Sequence, residues 1–499
     1  MRRADSEDRQ CLTLSPTRRL EDATGRRELV LQQENFDRQE KVVQHELKSL
    51  HNMNAAISIF PSEILSTVFE AGALLDSSSK CHFGSLVSHV SRHWRKIALA
   101  TPRLWNKIEC TRSKAVEDGY TYMTYSELER ERVAAFLSRS KSSPVDIRIR
   151  DFYDDYQDDI QTRNFLAMLG DQVGQFYHLC INDGDPDDVR IILRYFSHTP
   201  ASILRSIVLG THSDHGILNL KSPLFPFGAP HLTIAQLDCI PTSSLQFCLP
   251  SFQHLQCLRL AGIAVDGHEF RDALMALPVL KHLELSVDNF SQRATRFPAV
   301  LPTLIFLQVK TYLHTLDCAI LAITIHAASL TTLSLSGWDG TEPKLNLSSE
   351  EALESHFPAL QHLILANGRF SDTAPDLEAI ARRFPEIERL TCQVLPNSGL
   401  CYGIDHILAT IDAGSSGDGS LRWPKLHTVA VAGSRTPLDA AALHHKIYVM
   451  RGAGHPLRQL KLHKSLLAQA GTKAMGYLRT IVDVEDFSLD WPTPFEGFA

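Results

Sequence analysis

A chain of 499 residues is long enough for two or more folded units or for one extended array of repeats. Hydrophobic residues make up 44% of it and charged residues 21%, a balance typical of soluble globular proteins. The net charge of −7 argues against a general nucleic-acid binder, and no apolar run approaches the ~20 residues that cross a bilayer. The ten cysteines are scattered without a C-x-x-C pair, so we expect free thiols and a cytoplasmic or nuclear location.

The N-terminal region predicts a long helix behind a polar segment. Residues 1–28 are polar and mixed in charge, and this composition predicts disorder. Apolar residues then recur every seven positions, at Leu29, Phe36, Val43, Leu50 and Ile57. The recurrence predicts an amphipathic helix over 29–57, although its polar d positions disfavour a strong coiled coil. The apolar seam can pack against the unit that follows or pair two chains, and the sequence leaves both open.

Residues 58–110 predict a small all-α module. Pro61 and Glu63 suit the first turn of a helix. The N–H that proline lacks has no hydrogen-bond partner in that turn, and the helix dipole favours a carboxylate there. A second helix has an apolar side that includes Leu86 and Trp94 and a basic opposite side, and Pro102 ends it. About 50 residues are too few to bury all this apolar surface, so we expect the module to dock onto another protein.

The motifs Phe-Pro-x-Glu-Ile-Leu, Val-x-x-Val-x-x-x-Trp-x-x-Ile-Ala and Pro-x-Leu-Trp resemble the F-box in the divergent form common among fungal proteins. Phe60 stands where that family usually has Leu, and Ser91 where it often has Cys. The resemblance implies that the module binds the Skp-family adaptor of a cullin-based ubiquitin ligase, and we expect Trp94 to lie in the module's own core. The expected adaptor-binding residues are Phe60, Pro61, Ile64, Leu65, Val68, Val87, Val90, Trp94, Ile97, Leu104 and Trp105.

A connector over 111–143 precedes the remainder of the chain. Ser126 and Glu129 make a capping-box pattern, which predicts a helix that runs through Arg139. From 144 to 490 an apolar phrase with positions 0, +3 and +5, such as Leu255/Leu258/Leu260, recurs about every 28 residues. The residues 491–499 form a C-terminal tail.

Prolines strengthen the evidence for a repeat. A proline stops the preceding helix and lets a strand begin. Six of them stand two residues before the phrase: Pro230, Pro278, Pro302, Pro358, Pro385 and Pro424. The pattern resembles a leucine-rich-repeat solenoid, although the usual Asn at position +8 is absent and the loops should be irregular. The predicted fold class is therefore α/β, with a small all-α F-box-like module followed by an irregular leucine-rich-repeat solenoid that has parallel strands on one face and helices on the other.

Motifs for chemistry are missing from the sequence. It contains no phosphate-binding loop, no H-E-x-x-H and no G-x-S-x-G. The acidic residues 183–188 begin like a calcium loop but have Asp188 where the loop needs Gly, so we expect Asp185 to cap a helix that Pro186 opens. We expect no catalytic residue, no metal and no cofactor, and hence a chain that is not an enzyme.

Side-chain alternation predicts where a partner binds the repeat array. Positions +3 and +5 should point inward, and positions +2, +4 and +6 outward. The outward positions mix both charge signs with histidine and an exposed Phe306, which suits a protein better than a nucleic acid. The expected substrate-binding residues are Arg259, His282, Glu284, Phe306, Gln308 and His362. A simply solvated face, or recognition through the loops at 413–420 and 151–159, stays open.

Together these features predict a substrate-receptor subunit of a Skp–cullin–F-box type ubiquitin ligase. The module would hold the adaptor, and through it a cullin, while the repeat array would hold a protein substrate. We expect a monomer that binds neither nucleic acid nor membrane. The alternative is a non-catalytic leucine-rich-repeat scaffold without a ligase role, and adaptor binding separates the two.

Overall fold

The computed structural model describes residues 16–54, 57, 60–75, 82–111, 113–117, 120–150, 160–211, 216–265, 267–290, 299–311, 325–336, 356–366, 380–381, 384–393, 404, 407–408, 411, 423–431, 438–469, 471–487 and 493–495. The chain divides into two compact units, Met1–Leu104 and Trp105–Ala499. The loops at 151–159 and 413–420 lie outside the described residues. Among the residues described, no helix combines the length and the apolar character needed to cross a bilayer.

The described part of the first unit is helical. Its elements are α1 Pro16–Asn54, α2 Ser62–Leu75, α3 Phe83–Ser88, α4 Arg92–Ala100 and a 3-10 turn at Pro102–Trp105 that leads into the second unit. The predicted second helix of the module is therefore two helices. The Ser91 side chain accepts the backbone N–H of Trp94 at 3.1 Å, and this cap starts α4 after a turn.

The helix α1 is longer at its N-terminal end than the sequence predicts. It begins at Pro16, so the expectation of disorder is wrong for residues 16–28, while residues 1–15 lie outside the described part. Four arginines and two glutamates lie there, and both residue types are strong helix formers. Leu29, Phe36 and Val43 of the predicted seam are each more than half exposed.

The second unit is built on strands. In chain order they are β1 Lys107–Cys110, β2 Ser113–Glu117, β3 Tyr120–Thr124, β4 Val145–Ile149, β5 Phe176–Gly184, β6 Ser206–Thr211, β7 Ile234–Asp238, β8 Cys257–Val265, β9 His282–Phe290, β10 Ala299–Val300, β11 Phe306–Thr311, β12 Ile325–His326, β13 Thr332–Ser336, β14 His362–Ala366, β15 Arg389–Gln393, β16 Thr428–Val431, β17 Gln459–Leu462 and β18 Asp483–Asp486. Fourteen of them form one sheet, in which strand order follows chain order from β1 to β18. The strands β2 and β3 form an antiparallel hairpin, and β10 pairs with β12.

Every pairing within the large sheet is parallel, so the predicted α/β fold with a large parallel sheet is confirmed. The repeat phrase explains this architecture. Its +3 and +5 side chains, such as Leu283 and Leu285 of β9, are at most 1% exposed, which confirms that they point into the core. One strand per repeat thus buries its apolar side against its neighbours, as in a solenoid.

Helices supply the other side of this core. They are α5 Glu127–Ser140, α6 Ile160–Gly170, α7 Pro186–Phe196, α8 Gly267–Met275, α9 Ala440–Gly452, α10 Lys464–Gln469 and α11 Thr472–Ile481. As predicted, Asp185 caps α7, and its side chain accepts the N–H of Asp187 at 2.8 Å. Phe196 at the end of α7 contacts Phe176 of β5, with ring centroids 5.6 Å apart, so helix and strand share one core.

The sheet begins earlier than position 144. Trp105, Ile108 and Cys110 have the spacing 0, +3 and +5, and all three are at most 1% exposed. The strand β1 therefore lies inside the segment 58–110 that the sequence assigns to the helical module. The predicted connector holds the hairpin β2–β3 as well as the expected helix, α5, which Ser126 caps.

Candidate protein-interaction surfaces

The helical module of the first unit has a small core of its own. Leu65 and Phe69 of α2, Val87 of α3 and Ile97 of α4 are all at most 5% exposed. The Phe69 ring also lies 4.9 Å from the ring of Trp94, which is half-buried as part of the same core. These contacts fix α2 against α4, so side chains on the opposite side of α2 are left for other uses.

Large apolar side chains are exposed beside that core. Phe60, just before α2, is followed at steps of four residues by Ile64 and Val68, which lie on one side of the helix. They are 49%, 49% and 52% exposed. Leu86 and Val90, at and just after α3, are exposed to a similar extent. We call these five residues the apolar set; a concentration of exposed apolar side chains on so small a module is a candidate interaction site.

The structure separates the predicted adaptor-binding residues into two groups. Phe60, Pro61, Ile64, Val68 and Val90 are exposed. The buried ones are Leu65, Val87, Ile97, Leu104 and Trp105, all of which are unavailable to a partner in this state. A sequence stripe cannot make this division, because on a short amphipathic helix the residues that face the core and those that face a partner are equally apolar. Leu86, which the prediction omitted, joins the exposed group.

Trp105, one of the expected adaptor-binding residues, is fully buried. It belongs to the second unit, where its ring lies 5.2 Å from that of Phe136 on α5. The guanidinium of Arg139 lies 4.4 Å from the centre of the Trp105 ring. The residue is an anchor of the sheet, at position 0 of its first repeat.

The outward face of the second unit is formed by positions +2 and +4 of the repeats. The parallel register aligns these positions from strand to strand, so each contributes one residue to a row across the sheet. In the +2 row, His282 is paired with Cys257 and Phe306. In the +4 row, Glu284 is paired with Arg259 and Gln308. Neighbouring residues within a row come from strands about 4.8 Å apart, close enough for side-chain contact.

Four of the six predicted substrate-binding residues form one cluster, which we call the Arg259 patch: Arg259, His282, Glu284 and Phe306. The Nε of Arg259 donates to Oε2 of Glu284 at 2.6 Å. The Nε2 of His282 lies 2.8 Å from the other carboxylate oxygen of Glu284. The His282 ring stacks on the Phe306 ring, with centroids 4.2 Å apart and an angle of 6° between the planes.

The other two predicted residues lie outside this patch. Gln308 is next to Glu284 in the +4 row and half-buried. His362 lies on β14, and its Nε2 is 2.8 Å from the hydroxyl of Thr391.

The carboxylate of Glu284 is the electrostatic centre of the Arg259 patch. Burial by itself raises the pKa of Glu284, but the hydrogen bond from His282 and the charge of Arg259 lower it more. The net pKa of Glu284 is therefore below the ordinary glutamate value, and the group is ionised at neutral pH. A fixed negative charge beneath Arg259 holds the guanidinium in place and leaves its flat face for another group.

The patch is more buried than the sequence predicts. Phe306 is 3% exposed and His282 is 6% exposed, so the expectation of an exposed Phe306 is wrong. In the +4 row Ser334 and Ile364 are also fully buried, whereas Thr332 and His362 of the +2 row are half-buried. These central positions therefore do not form a face that is simply exposed to solvent.

Residues 493–495 lie against the Arg259 patch. The guanidinium carbon of Arg259 is 4.5 Å from the centre of the Phe495 ring, and this ring is 2% exposed. The sequence prediction missed Phe495, since nothing in the tail has the repeat pattern and the contact joins positions more than 230 residues apart.

A second line of polar residues crosses β4, β5 and β6. Asp146, His178 and Ser206 are register neighbours in the +2 row, and the Ser206 hydroxyl lies within hydrogen-bonding distance of His178 Nδ1. These are the residue types of a nucleophilic triad. Ser206 is only 1% exposed, and Nε2 of His178 is 4.0 Å from Asp146, so the line presents no accessible nucleophile. Nor does the described part of the chain hold a group of three or more His, Cys, Asp or Glu that could bind a metal.

A scan against protein-family models finds none that matches this chain. A search of the curated proteins likewise finds no similar sequence. The class of protein is therefore inferred below from the helical module and the repeat-built sheet.

Proposed function

We propose that this chain is the substrate-receptor subunit of a Skp–cullin–F-box type ubiquitin ligase. The observation that carries the proposal is the apolar set, exposed on a helical module that already has a core of its own. The resemblance of the module's motifs to the F-box implies that its partner is a Skp-family adaptor. Such a receptor forms no covalent bond; it raises the effective concentration of substrate lysines near the transferring enzyme.

The energetics favour docking of the apolar set. Phe60, Ile64 and Val68 are each about half exposed, and their burial by a partner would stabilise the complex by roughly 1 kcal/mol or more for each side chain. Ile64 and Val68 stand on the helix α2, and Phe60 lies two residues before its start, so little backbone entropy is lost when Ile64 and Val68 dock. The outward face of the sheet would then hold the substrate, with the Arg259 patch at its centre.

Co-purification with a Skp-family adaptor tests the proposal. Ile64→Asp and Val68→Asp place a carboxylate at the proposed interface without touching the module core. Each should weaken capture tenfold to a hundredfold, because apolar burial is lost and a charge is left without a partner. Leu128→Asp is the matched control, since Leu128 is a 77% exposed leucine on α5 of the other unit.

The outcomes are distinct. The receptor role is supported if the control variant still captures the adaptor and the two module variants do not. Absent capture by the wild-type chain favours the scaffold without a ligase role. If Ile64→Asp and Val68→Asp capture the adaptor as well as the wild-type chain does, the apolar set is not the adaptor surface.

A further inference from the structure

Residues 493–495, the described part of the C-terminal tail, meet the outward face of the sheet at Arg259 and His282. Thr493 accepts a hydrogen bond from Nη2 of Arg259 at 3.3 Å. Two residues later, the Phe495 ring lies beneath the guanidinium of Arg259, with 4.5 Å from the guanidinium carbon to the ring centre. The His282 ring approaches the same aromatic ring at 5.8 Å and an angle of 62°. Phe495 thus has a cation on one side and an imidazole edge on another.

The two residues that contact the Phe495 ring are themselves held by other residues of the sheet. Arg259 is held by Glu284 and by Oε1 of Gln236, at 3.4 Å from its Nη1, and both partners belong to neighbouring strands. His282 is held by the same carboxylate and by its stack on Phe306. A guanidinium fixed in this way stacks on an aromatic ring at little entropic cost.

The tail segment has a shape that suits the site. The backbone N–H of Phe495 points to the hydroxyl of Thr493 at 3.4 Å, a local turn across Pro494. Pro494 fixes one backbone dihedral angle and so reduces the entropy that the segment loses on docking. Phe495 is 2% exposed, whereas its two predecessors are only half-buried. Within residues 493–495, one buried ring and one long hydrogen bond to the sheet make a contact small enough for a competing segment to displace.

We infer that the Arg259 patch is a docking site for a peptide segment with an aromatic side chain two residues after a hydroxyl residue, and that residues 493–495 occupy it in the free protein. A substrate segment of the same chemistry would compete with the tail for the site. The inference rests on the proposed role of the outward face in holding a protein substrate. It adds the substrate class and an intramolecular competitor.

Fluorescence anisotropy with a labelled peptide of residues 491–499 tests the inference on the full-length chain. The variant Phe495→Ala removes the resident ring and should bind the added peptide saturably. The wild-type chain should bind it about tenfold more weakly, because a tethered tail competes at an effective concentration on the order of 1 mM.

Matched peptides identify the ring that docks. A labelled peptide with its own Phe495→Ala change should lose binding to the variant chain, whereas a peptide with Phe498→Ala should keep it. Adding Arg259→Lys to the variant chain keeps a cation beside Glu284 but removes the planar guanidinium, and should weaken binding several-fold. Equal thermal unfolding midpoints for the chains with and without Arg259→Lys show that the site itself is intact.

Several results would overturn the inference. They are equal binding of the peptide to the wild-type and Phe495→Ala chains, binding to neither, and equal damage from the two peptide changes. The assay contains no adaptor, and Phe495→Ala should leave adaptor capture unchanged. Failure of this inference is therefore distinguishable from failure of the proposed receptor role, which Ile64→Asp tests separately.

Discussion

The carboxylate of Glu284 shows how one residue organises a surface. It is 4% exposed and accepts hydrogen bonds from both Arg259 and His282, so replacing one of its oxygens with an NH2 group leaves one of these donors facing another donor. We expect Glu284→Gln to lower the free energy of unfolding by about 1–3 kcal/mol. Glu485→Gln is the matched control, because Glu485 occupies the same +4 row in an exposed ion pair with Lys461 and should change stability by less than about 0.5 kcal/mol.

The effect of Glu284 depends on pH in a defined direction. Its pKa is lower in the folded protein, so the carboxylate stabilises the fold above the unfolded pKa and loses this effect as the pH falls through the folded pKa. The difference in unfolding free energy between wild type and Glu284→Gln, measured by urea titration, should therefore shrink when the pH falls below 4.5, the pKa of an unshifted glutamate. A difference that grows on acidification would contradict the assigned ionisation.

Asp146 and His178 are neighbours whose ionisation is shifted in opposite senses. Burial raises the pKa of Asp146 to about 6, against the opposing charges of Lys107 and Arg148. Burial lowers the pKa of His178 to about 4, together with the positive charges of Arg205 and Arg148. Although the two groups are 4.0 Å apart, they form a carboxylate beside a neutral imidazole at pH 7 rather than an ion pair.

These two shifts predict opposite pH dependences of stability. Between pH 4 and 6 folded Asp146 holds a proton that the unfolded chain has released, so this group favours folding less as the pH rises. In the same pH window the unfolded chain holds a proton on His178 that the folded protein lacks. This group therefore favours folding more as the pH rises. We expect the free energy of unfolding to change little for wild type, to fall with pH for His178→Gln and to rise with pH for Asp146→Asn, by up to about 3 kcal/mol. Urea titrations at three pH values measure these slopes, and parallel slopes would refute the assignment.

The sequence predicts which residues meet on the outward face but not how deeply they lie. The period of two along a strand and one strand per repeat are enough to place Arg259 beside Glu284 and His282 beside Phe306. Burial of those residues depends on side chains from other repeats and on Phe495. Contacts of that range leave no periodic signal in a single sequence.

At the scale of elements, two helix starts that a capping residue marks are predicted correctly, whereas the start of α1 is not. The predicted caps at Ser126 and Asp185 both form, because each is a local hydrogen bond between a side chain and an N–H two or three residues on. The second half of the predicted capping box does not form. The Glu129 carboxylate instead accepts the backbone N–H of Thr111 and pairs with Arg132, which are contacts that the spacing alone does not reveal.

A bulge in β8 follows the strand residues that carry Arg259. The register between β8 and β9 shifts after Leu260, and Gly262 has a φ of +63° at that point. A Cβ on Gly262 would lie 2.9 Å from Sγ of Cys239 on the neighbouring chain segment. Only glycine adopts this backbone without strain, so the bulge is fixed by the sequence.

We therefore expect Gly262→Ala to destabilise the protein by about 1–3 kcal/mol, from backbone strain together with the close contact to Cys239. Gly476→Ala is the matched control with the opposite sign. Gly476 lies within α11 with nothing near its Cβ position, and alanine there should stabilise the helix by about 0.5–1 kcal/mol. Thermal unfolding of both variants compares them, and an unchanged midpoint for Gly262→Ala would show that the bulge tolerates a side chain.

At the scale of the whole molecule, the repeat phrase predicts the large sheet because solenoid packing is local: each strand needs only the strands before and after it. The first repeat escaped prediction for an equally physical reason. Trp105 serves both as the last residue of the Pro-x-Leu-Trp motif and as the first anchor of the sheet. Because it is assigned to that motif, the repeat Trp105/Ile108/Cys110 is not recognised from the sequence.

The two edges of the sheet are protected in the same way. The edge strands are β1 and β18, and both expose charged side chains, as at Glu109 and Glu485. Charges on an edge strand discourage pairing with a second chain. An inner strand such as β16 has no such protection, since its four residues, Thr-Val-Ala-Val, are uncharged and buried.

Removal of the charged edge should therefore cause self-association. Deletion of residues 455–499 takes away β17 and β18 and uncovers β16, whose unpaired N–H and C=O groups would then face solvent without a charge beside them. We expect dynamic light scattering of this truncated chain to show concentration-dependent aggregates. Deletion of residues 488–499 alone keeps β18 as the edge and should leave the protein monodisperse. A 455–499 deletion as monodisperse as this control would mean that the last repeats fold as a separate domain and do not shield the sheet.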